Sequence, residues 1–430
     1  MSNKQKFGFQ AAISVVVANM VGTGVFTSLG FQLIDIQSGF PLMMLWLVGG
    51  IIAVCGAITY AELGSALPRS GGEYHFLSEI YHPAAGFVSG WISATVGFAG
   101  PTALAALTFG VYLSSVFPSL SQTWLAAGLV VVLSIVHART HQSSSLVQRL
   151  FTGIKVLLII GFCGAAFFLV ENPQPISILP KSGDWAIMLS PAFAVSLIYV
   201  SYAFTGWNAA TYLTSELDNP QKMLPWILAG GTLLVMMLYL GLNYSFLYAA
   251  PIEEMVGKEE VAYVAATHIW ESSGANIMGV VLALLLISTV SAMVIAGPRV
   301  LQVIGEDYPL FARLGQKNQS GIPAIAIYLQ MGISLVFIFM TDIKTILEFF
   351  GFTLGLNTLL AVAGIFVVRW KKPDLPRPYR AFAYPISPLI FLVLTGWTLW
   401  YVGANSPKAA AIALGIILFG LVVYYFTRRK

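Results

Sequence analysis

Val15-Val16-Val17-Ala18-Asn19-Met20-Val21-Gly22-Thr23-Gly24-Val25-Phe26-Thr27-Ser28-Leu29 lies inside an apolar stretch running from about Phe9 to Leu33. That length suits a membrane-spanning helix, yet Gly22, Thr23 and Gly24 set two glycines around a hydroxyl near its middle. The helix is expected to break there. Hydrocarbon offers no partner to freed backbone N–H groups, so neighbouring protein or a polar ligand must satisfy them. A second interruption, Thr205-Gly206 within Ser201-Tyr202-Ala203-Phe204-Thr205-Gly206-Trp207-Asn208, falls in the sixth apolar stretch. Two broken spans point to a binding site between them.

Composition agrees with a membrane setting. Charged residues are 9% of the 430-residue chain and hydrophobic residues 57%, where an ordinary soluble protein is about one quarter charged. The mean hydropathy is +0.81. Apolar runs of about 20 residues place spans near 9–33, 40–67, 83–114, 122–138, 146–170, 187–215, 224–250, 275–304, 322–340, 343–369, 383–403 and 408–427. The expected fold class is therefore an all-α integral membrane protein of twelve transmembrane helices. The third and eighth spans exceed the thickness of the hydrocarbon, which predicts tilt or extension into loops.

Lys and Arg fall unevenly when alternate loops are assigned to opposite sides. Seventeen, including Arg69, Arg139, Arg149, Arg369, Lys371, Lys372, Arg377 and Arg380, share a side with both termini; Lys181, Lys258, Lys344 and Lys408 are opposite, and Lys155 lies within a span. Both termini are thus expected in the cytoplasm, with the chain in the cell inner (plasma) membrane. The net charge of +4 reflects this topology, and no nucleic-acid partner is needed to explain it. Cys55 and Cys163 sit within spans, so no disulfide framework is expected. No cleavable signal peptide is evident. Glu253, Glu254, Glu259, Glu260 and Glu271 cluster in one external segment, which reads as a solvated loop or short interfacial helix, or as a vestibule for cations.

If spans 1–5 (residues 1–170) and 6–10 (187–369) are two halves, each opens with a helix broken at mid-depth. That pattern accompanies an inverted repeat in secondary transporters. An odd number of spans per half makes the halves opposite in orientation. Spans 11 and 12 (383–427) then stand outside this 5+5 inverted repeat.

Several local patterns carry a likeness. They are Asn19-Met20-Val21-Gly22-Thr23-Gly24-Val25-Phe26, Tyr60-Ala61-Glu62-Leu63-Gly64, Pro68-Arg69-Ser70-Gly71-Gly72-Glu73-Tyr74, and Phe204-Thr205-Gly206-Trp207-Asn208 with Glu216 and Asn219-Pro220. Ser291-Ala292-Met293 with Gly297-Pro298-Arg299, and Arg377-Pro378-Tyr379-Arg380, complete the set. In this order they resemble the amino acid, polyamine and organocation transporter superfamily, closest to its L-type amino acid exchangers and their bacterial relatives. The resemblance implies a site between spans 1 and 6, formed by Met20, Val21, Gly22, Thr23, Gly24, Tyr202, Ala203, Thr205, Asn208 and Tyr239. It implies that the substrate carboxylate meets span 1 and the amino group meets span 6. Physics points the same way: N–H groups of Thr23, Gly24 and Val25 at a helix N-terminus favour an anion, and carbonyls of Tyr202, Ala203 and Thr205 can accept from an ammonium. Glycine is expected at 24 because a Cβ would keep the carboxylate off the backbone.

Tyr202 and Trp207 are the gating candidates; where relatives commonly carry a Phe that closes over the substrate, this chain carries Tyr202. The resemblance also implies that Lys155 replaces a sodium ion between spans 1, 5 and 8, bonding carbonyls of the first break and the hydroxyls of Ser288 or Ser291. Snorkelling of Lys155 to water is the competing reading. The Lys155 match implies no sodium dependence and the exchangers it resembles imply exchange, while the lack of an acidic residue or a second cation at mid-depth favours small neutral amino acids. A proton-coupled amino acid or amine symporter is the alternative, with desolvated Lys155 carrying the proton. Glu62 and Glu216 suit an inner gate with Arg69 or other basic residues. His75, His82, His137, His141 and His268 lack metal-ligand spacing. No cofactor, no obligatory protein partner and no enzyme activity is expected, since no nucleophile and base stand at a convincing spacing.

Overall fold

The computed structural model describes residues 8–139, 144–340 and 343–427. Lys4, Lys6, Arg428, Arg429 and Lys430 of the charge count, His141, and the side chains of Arg149, Glu216 and Lys344 lie outside the described residues. All regular structure among the described residues is helical.

The chain opens with α1 (Phe9–Met20), α2 (Thr23–Gln32), α3 (Gly39–Ala66) and α4 (Glu73–Ile80). Next come α5 (Pro83–Ile92), a π-helical segment (Ser93–Ala99), α6 (Gly100–Val116), α7 (Gln122–Arg139) and α8 (Ser144–Leu169). After α9 (Asp184–Met188), α10 (Pro191–Ala203) leads into a 3₁₀ segment (Ala209–Glu216) and α11 (Pro220–Ala249). The remaining helices are α12 (Ile252–Met255), α13 (Val261–Ala296), α14 (Pro298–Asp307), α15 (Ala312–Gly315), α16 (Ala324–Met340), α17 (Ile343–Lys371), α18 (Ile386–Asn405) and α19 (Pro407–Thr427).

Among the described residues, ten helices are long and apolar enough to cross a membrane, counting α1–α2, α5–α6 and Gly274–Asp307 as single units. The other two expected spans coincide with shorter apolar helices, α10 and α16. The third and eighth spans are indeed long, at 34 residues each. Glu271, at φ 58°, interrupts α13 and separates the eighth span from the helical turns before it.

Local sequence explains where helices start and deform. Proline opens α5, α10, α11 and α14, where its missing N–H costs nothing. Pro101 does the opposite inside the third span: it cannot donate, and its ring crowds the carbonyl four residues back. The preceding Ser93–Ala99 accordingly widens to π geometry, and Ser334 Oγ donates to the Ala99 carbonyl at 2.8 Å.

Burial sorts centre from rim. The apolar windows of α1–α2 and α5–α6 are 83% and 89% buried inside the protein, against 17% for α19. Polar and glycine-rich sequence is tolerable in the first two because protein, not lipid, surrounds it. Charges gather at one end of the bundle. Glu62, expected to meet Arg69 or another basic residue, accepts from Arg369 at 2.7 Å and from the Ala381 amide at 2.6 Å. Arg69 donates to Asp307 at 2.8 Å. The two pairings cross-link α3 to α17 and the α3–α4 link to α14. In the acidic segment Glu254 pairs with His268 at 2.8 Å, and the Gly257 amide donates to the Gly30 carbonyl at 2.8 Å.

Candidate functional site

The first break is short. Helix α1 stops at Met20, Val21 and Gly22 leave helical geometry (ψ 84° and −148°), and α2 restarts at Thr23. No side chain caps the new N-terminus. The first-turn N–H groups of α2 therefore have no partner within their own helix. The sixth span breaks over a longer segment: α10 stops at Ala203, Gly206 takes φ +99°, and the chain resumes in 3₁₀ form from Ala209.

Two glycines bring the breaks together. A Cβ on Gly206 would lie 2.8 Å from the Asn19 backbone carbon, and one on Gly24 would lie 2.5 Å from the Ala203 Cα. Gly24 is thus demanded by the crossing of α2 and α10, a steric reason independent of any carboxylate near its backbone. Tyr239 sits behind the crossing. Its hydroxyl lies 2.5 Å from the Met20 carbonyl and 3.1 Å from the Ala203 carbonyl, the last residues of α1 and α10. Trp46 and Phe204 pack against its ring at 5.6 and 5.0 Å.

A cavity lies in front. Of the expected residues, Met20, Gly22, Thr23, Gly24, Tyr202, Ala203 and Thr205 line it, joined by Asn19, Pro101, Ala105, Thr289 and Met293. The space is narrow, since the centre of a water molecule has only about 20 Å³ to move through. A ligand larger than a few waters needs Tyr202 or its neighbours to move.

Four expected site residues stand elsewhere. Val21 turns its carbonyl to Lys155, and Tyr239 braces the breaks from behind. Trp207 is buried edge-on to Tyr60 at 4.7 Å and beside Phe391, so it packs against α3 and α18 and does not reach the cavity. Asn208 donates to Glu73 Oε1 at 2.5 Å and does not line the cavity. Tyr60 donates to the same oxygen at 3.0 Å and Tyr212 to the other. Burial pushes the Glu73 carboxyl above the usual carboxylate range, against the pull of these donors.

Lys155 is 2% exposed, so it does not snorkel. Its Nζ donates to the Val21 carbonyl at 3.1 Å and to Thr289 Oγ1 at 2.6 Å. The carbonyl of the first break is as expected. The hydroxyl is not: Ser288 Oγ donates to Leu285 and Ser291 Oγ lies 2.8 Å from His137 Nε2. One residue along a helix rotates a side chain by about 100°, and Thr289 with Met293, one turn on, is the pair that faces the cavity. Choosing serines three apart missed that face by one step. Asn19 was legible within the first motif as the polar residue next to the break.

Acceptors at the sixth span are largely spent. The Tyr202 carbonyl accepts from the Thr205 amide at 2.9 Å and from Thr205 Oγ1 at 2.7 Å. The cavity thus offers free donors on the α2 side, and on the α10 side carbonyls already engaged with protein. Among the described residues no group of three His, Cys, Asp or Glu is placed to hold a metal.

A central cavity between two broken helices in an all-helical membrane bundle defines the class as a transporter, and sequence comparison agrees. The amino acid permease family model matches residues 7–423, and the chain belongs to that family. Relatives include the large neutral amino acids transporter small subunit 2 of Homo sapiens, 30% identical over 98% of this chain and 80% of the relative. The serine/threonine exchanger SteT of Bacillus subtilis (strain 168) is 26% identical over 99% and 98%. The Asc-type amino acid transporter 1 of Mus musculus is 25% identical over 98% and 81%. The protein is a multi-pass membrane transporter of amino acids, and its family is one of transporters, not enzymes.

Proposed function

We propose that the chain exchanges small neutral L-amino acids without sodium, by alternating access. The observation that carries this reading is Lys155, whose ammonium joins the Val21 carbonyl of the first break to Thr289 across the bundle. A fixed cation there does what a bound sodium ion would otherwise do. The substrate carboxylate binds the first-turn N–H groups of α2, where the helix dipole also favours it. The ammonium takes the remaining lone pairs of the Ala203 and Thr205 carbonyls. Asn19, Thr289 and Met293 shape the side-chain pocket, and the lack of a charged side chain among the cavity's lining residues supports neutral substrates. Tyr202 closes over them.

In this reading residues 1–170 and 187–369 are inverted repeats of a twelve-span protein with both termini in the cytoplasm of a plasma membrane, working without an obligatory partner. Counterflow in proteoliposomes tests it. Labelled alanine and serine should enter vesicles preloaded with amino acid in sodium-free buffer, with leucine, lysine and glutamate compared. Uptake that requires sodium would remove the role given to Lys155. Strong uptake into empty vesicles driven by an inward proton gradient would favour symport.

A further inference from the structure

We propose that Glu73 is a protonation site that latches the unwound end of the sixth span, and that release of this latch by a proton sets the speed of the transport cycle. This inference rests on the transport reading above. It arises from a cluster that no step of that reading uses. Glu73, at the start of α4, is 1% exposed. Oε1 accepts from Tyr60 at 3.0 Å and from Asn208 at 2.5 Å; Oε2 accepts from Tyr212, whose hydroxyl lies 3.3 Å from Ser93 Oγ. One carboxyl thus ties α3, α4, the π-helical segment and residues 208–212, two residues beyond the positive-φ Gly206.

All these donors are neutral, so no bonded cation holds the charge in place. The titratable groups facing it are Tyr60 from α3 and Tyr212 from the 3₁₀ segment, phenols that ordinarily titrate near ~10. The charged groups around α4 are engaged with one another. Arg69 and Tyr74 bond Asp307 of α14, and Glu79 pairs with Lys372 beyond α17. Burial disfavours the ionised form and raises the titration of Glu73.

Both protonation states can be satisfied in place. The carboxylate accepts three bonds. The acid donates its proton to the Tyr212 oxygen, and Tyr212 passes its own to Ser93. Charge-assisted bonds are about twice as strong as neutral ones, so protonation weakens the grip on Asn208 and Tyr212. The raised titration fixes the sign: above it Glu73 is ionised and latched, and as pH falls through it the latch loosens.

Counterflow at saturating substrate should therefore rise about fivefold as pH falls through the titration. Glu73→Gln should run at the acid rate at every pH, with KM changed little because Glu73 does not line the cavity. Glu73→Asp should keep a pH dependence. Tyr212→Phe removes one donor to the carboxylate and should move the midpoint up by about one pH unit. In parallel, infrared difference spectra of the purified protein across about pH 4 to 8 should show a protonated-carboxyl band that Glu73→Gln lacks and Tyr212→Phe shifts. Wild-type and Glu73→Gln profiles that superimpose, or no band assignable to Glu73, would overturn the proposal. Absence of wild-type counterflow would count against the transport reading, while the infrared titration would still decide whether Glu73 takes a proton.

Discussion

The two breaks differ in what they leave unpaired. The first spans two residues, restarts at once as an α-helix, and presents an uncapped N-terminus to the cavity. The second spans five residues, resumes as 3₁₀, and consumes its own carbonyls: Thr205 returns to Tyr202, and Ala209 N donates to the Gly206 carbonyl at 2.9 Å. A broken helix is thus not by itself a binding element. The first is a donor site braced by Lys155, whereas the second is a hinge that leaves a ligand only the remaining lone pairs of its carbonyls, and its far end is held by Glu73.

The sharpest way to break this contrast is at the brace. Lys155→Met strips the Val21 carbonyl and Thr289 of a charged donor, and hydrogen bonds to charged groups are each worth ~1.5–3 kcal/mol. Counterflow should fall on the order of 100-fold, while size-exclusion behaviour is kept. Near-normal exchange would mean that the first break needs no cation.

Glycine substitutions come next and set one break against the other. Gly206→Ala forces a side chain onto a residue at φ +99° and into Asn19, and should cost ~1–3 kcal/mol, read as a lower unfolding temperature in detergent with loss of exchange. Gly22→Ala meets the Thr289 methyl at 3.3 Å and the Met20 carbonyl oxygen at 3.9 Å; it should leave the unfolding temperature nearly unchanged and raise KM. Equal destabilisation at both positions would erase the proposed difference. Gly24 is unsuited to such a test, because its Cβ would strike the Ala203 backbone and report packing instead of affinity.

Tyr239→Phe removes the single O–H that the Met20 and Ala203 carbonyls share and should destabilise by ~1–3 kcal/mol. Because both breaks share that hydroxyl, thermal unfolding should show the loss with KM changed less than Vmax. Smallest is Thr205→Val, which removes one of two bonds to the Tyr202 carbonyl. A cost of ~0.5–1.5 kcal/mol in unfolding, with little change in KM, is expected. A large rise in KM would show that Thr205 serves the substrate and not the hinge.

Much of this was readable along the chain. The apolar runs located helix ends to within a few residues, as with 122–138 against Gln122–Arg139 and 408–427 against Pro407–Thr427. Gly22-Thr23-Gly24 marked the first break and Thr205-Gly206 the second. The lone in-span Lys155 declared itself by cost. What failed were pairings. Asn208 and Trp207 look like site residues because they follow the break, yet the 3₁₀ segment turns them toward Glu73 and Tyr60. Ser288 and Ser291 look like partners of Lys155, yet the rotation of α13 selects Thr289. For Glu62 the sequence allowed Arg69 or another basic residue, and the fold selects Arg369.

The sequence by itself determined that this chain lives in a membrane, where its helices run and where two of them break. Those outcomes follow from local causes: the cost of unpaired backbone in hydrocarbon, and the freedom of glycine. Only the tertiary structure decided which broken end still has groups to offer a ligand. A carbonyl or hydroxyl is free or spent according to what packs within about 3 Å of it, and helix rotation and crossing, set by the whole bundle, fix that.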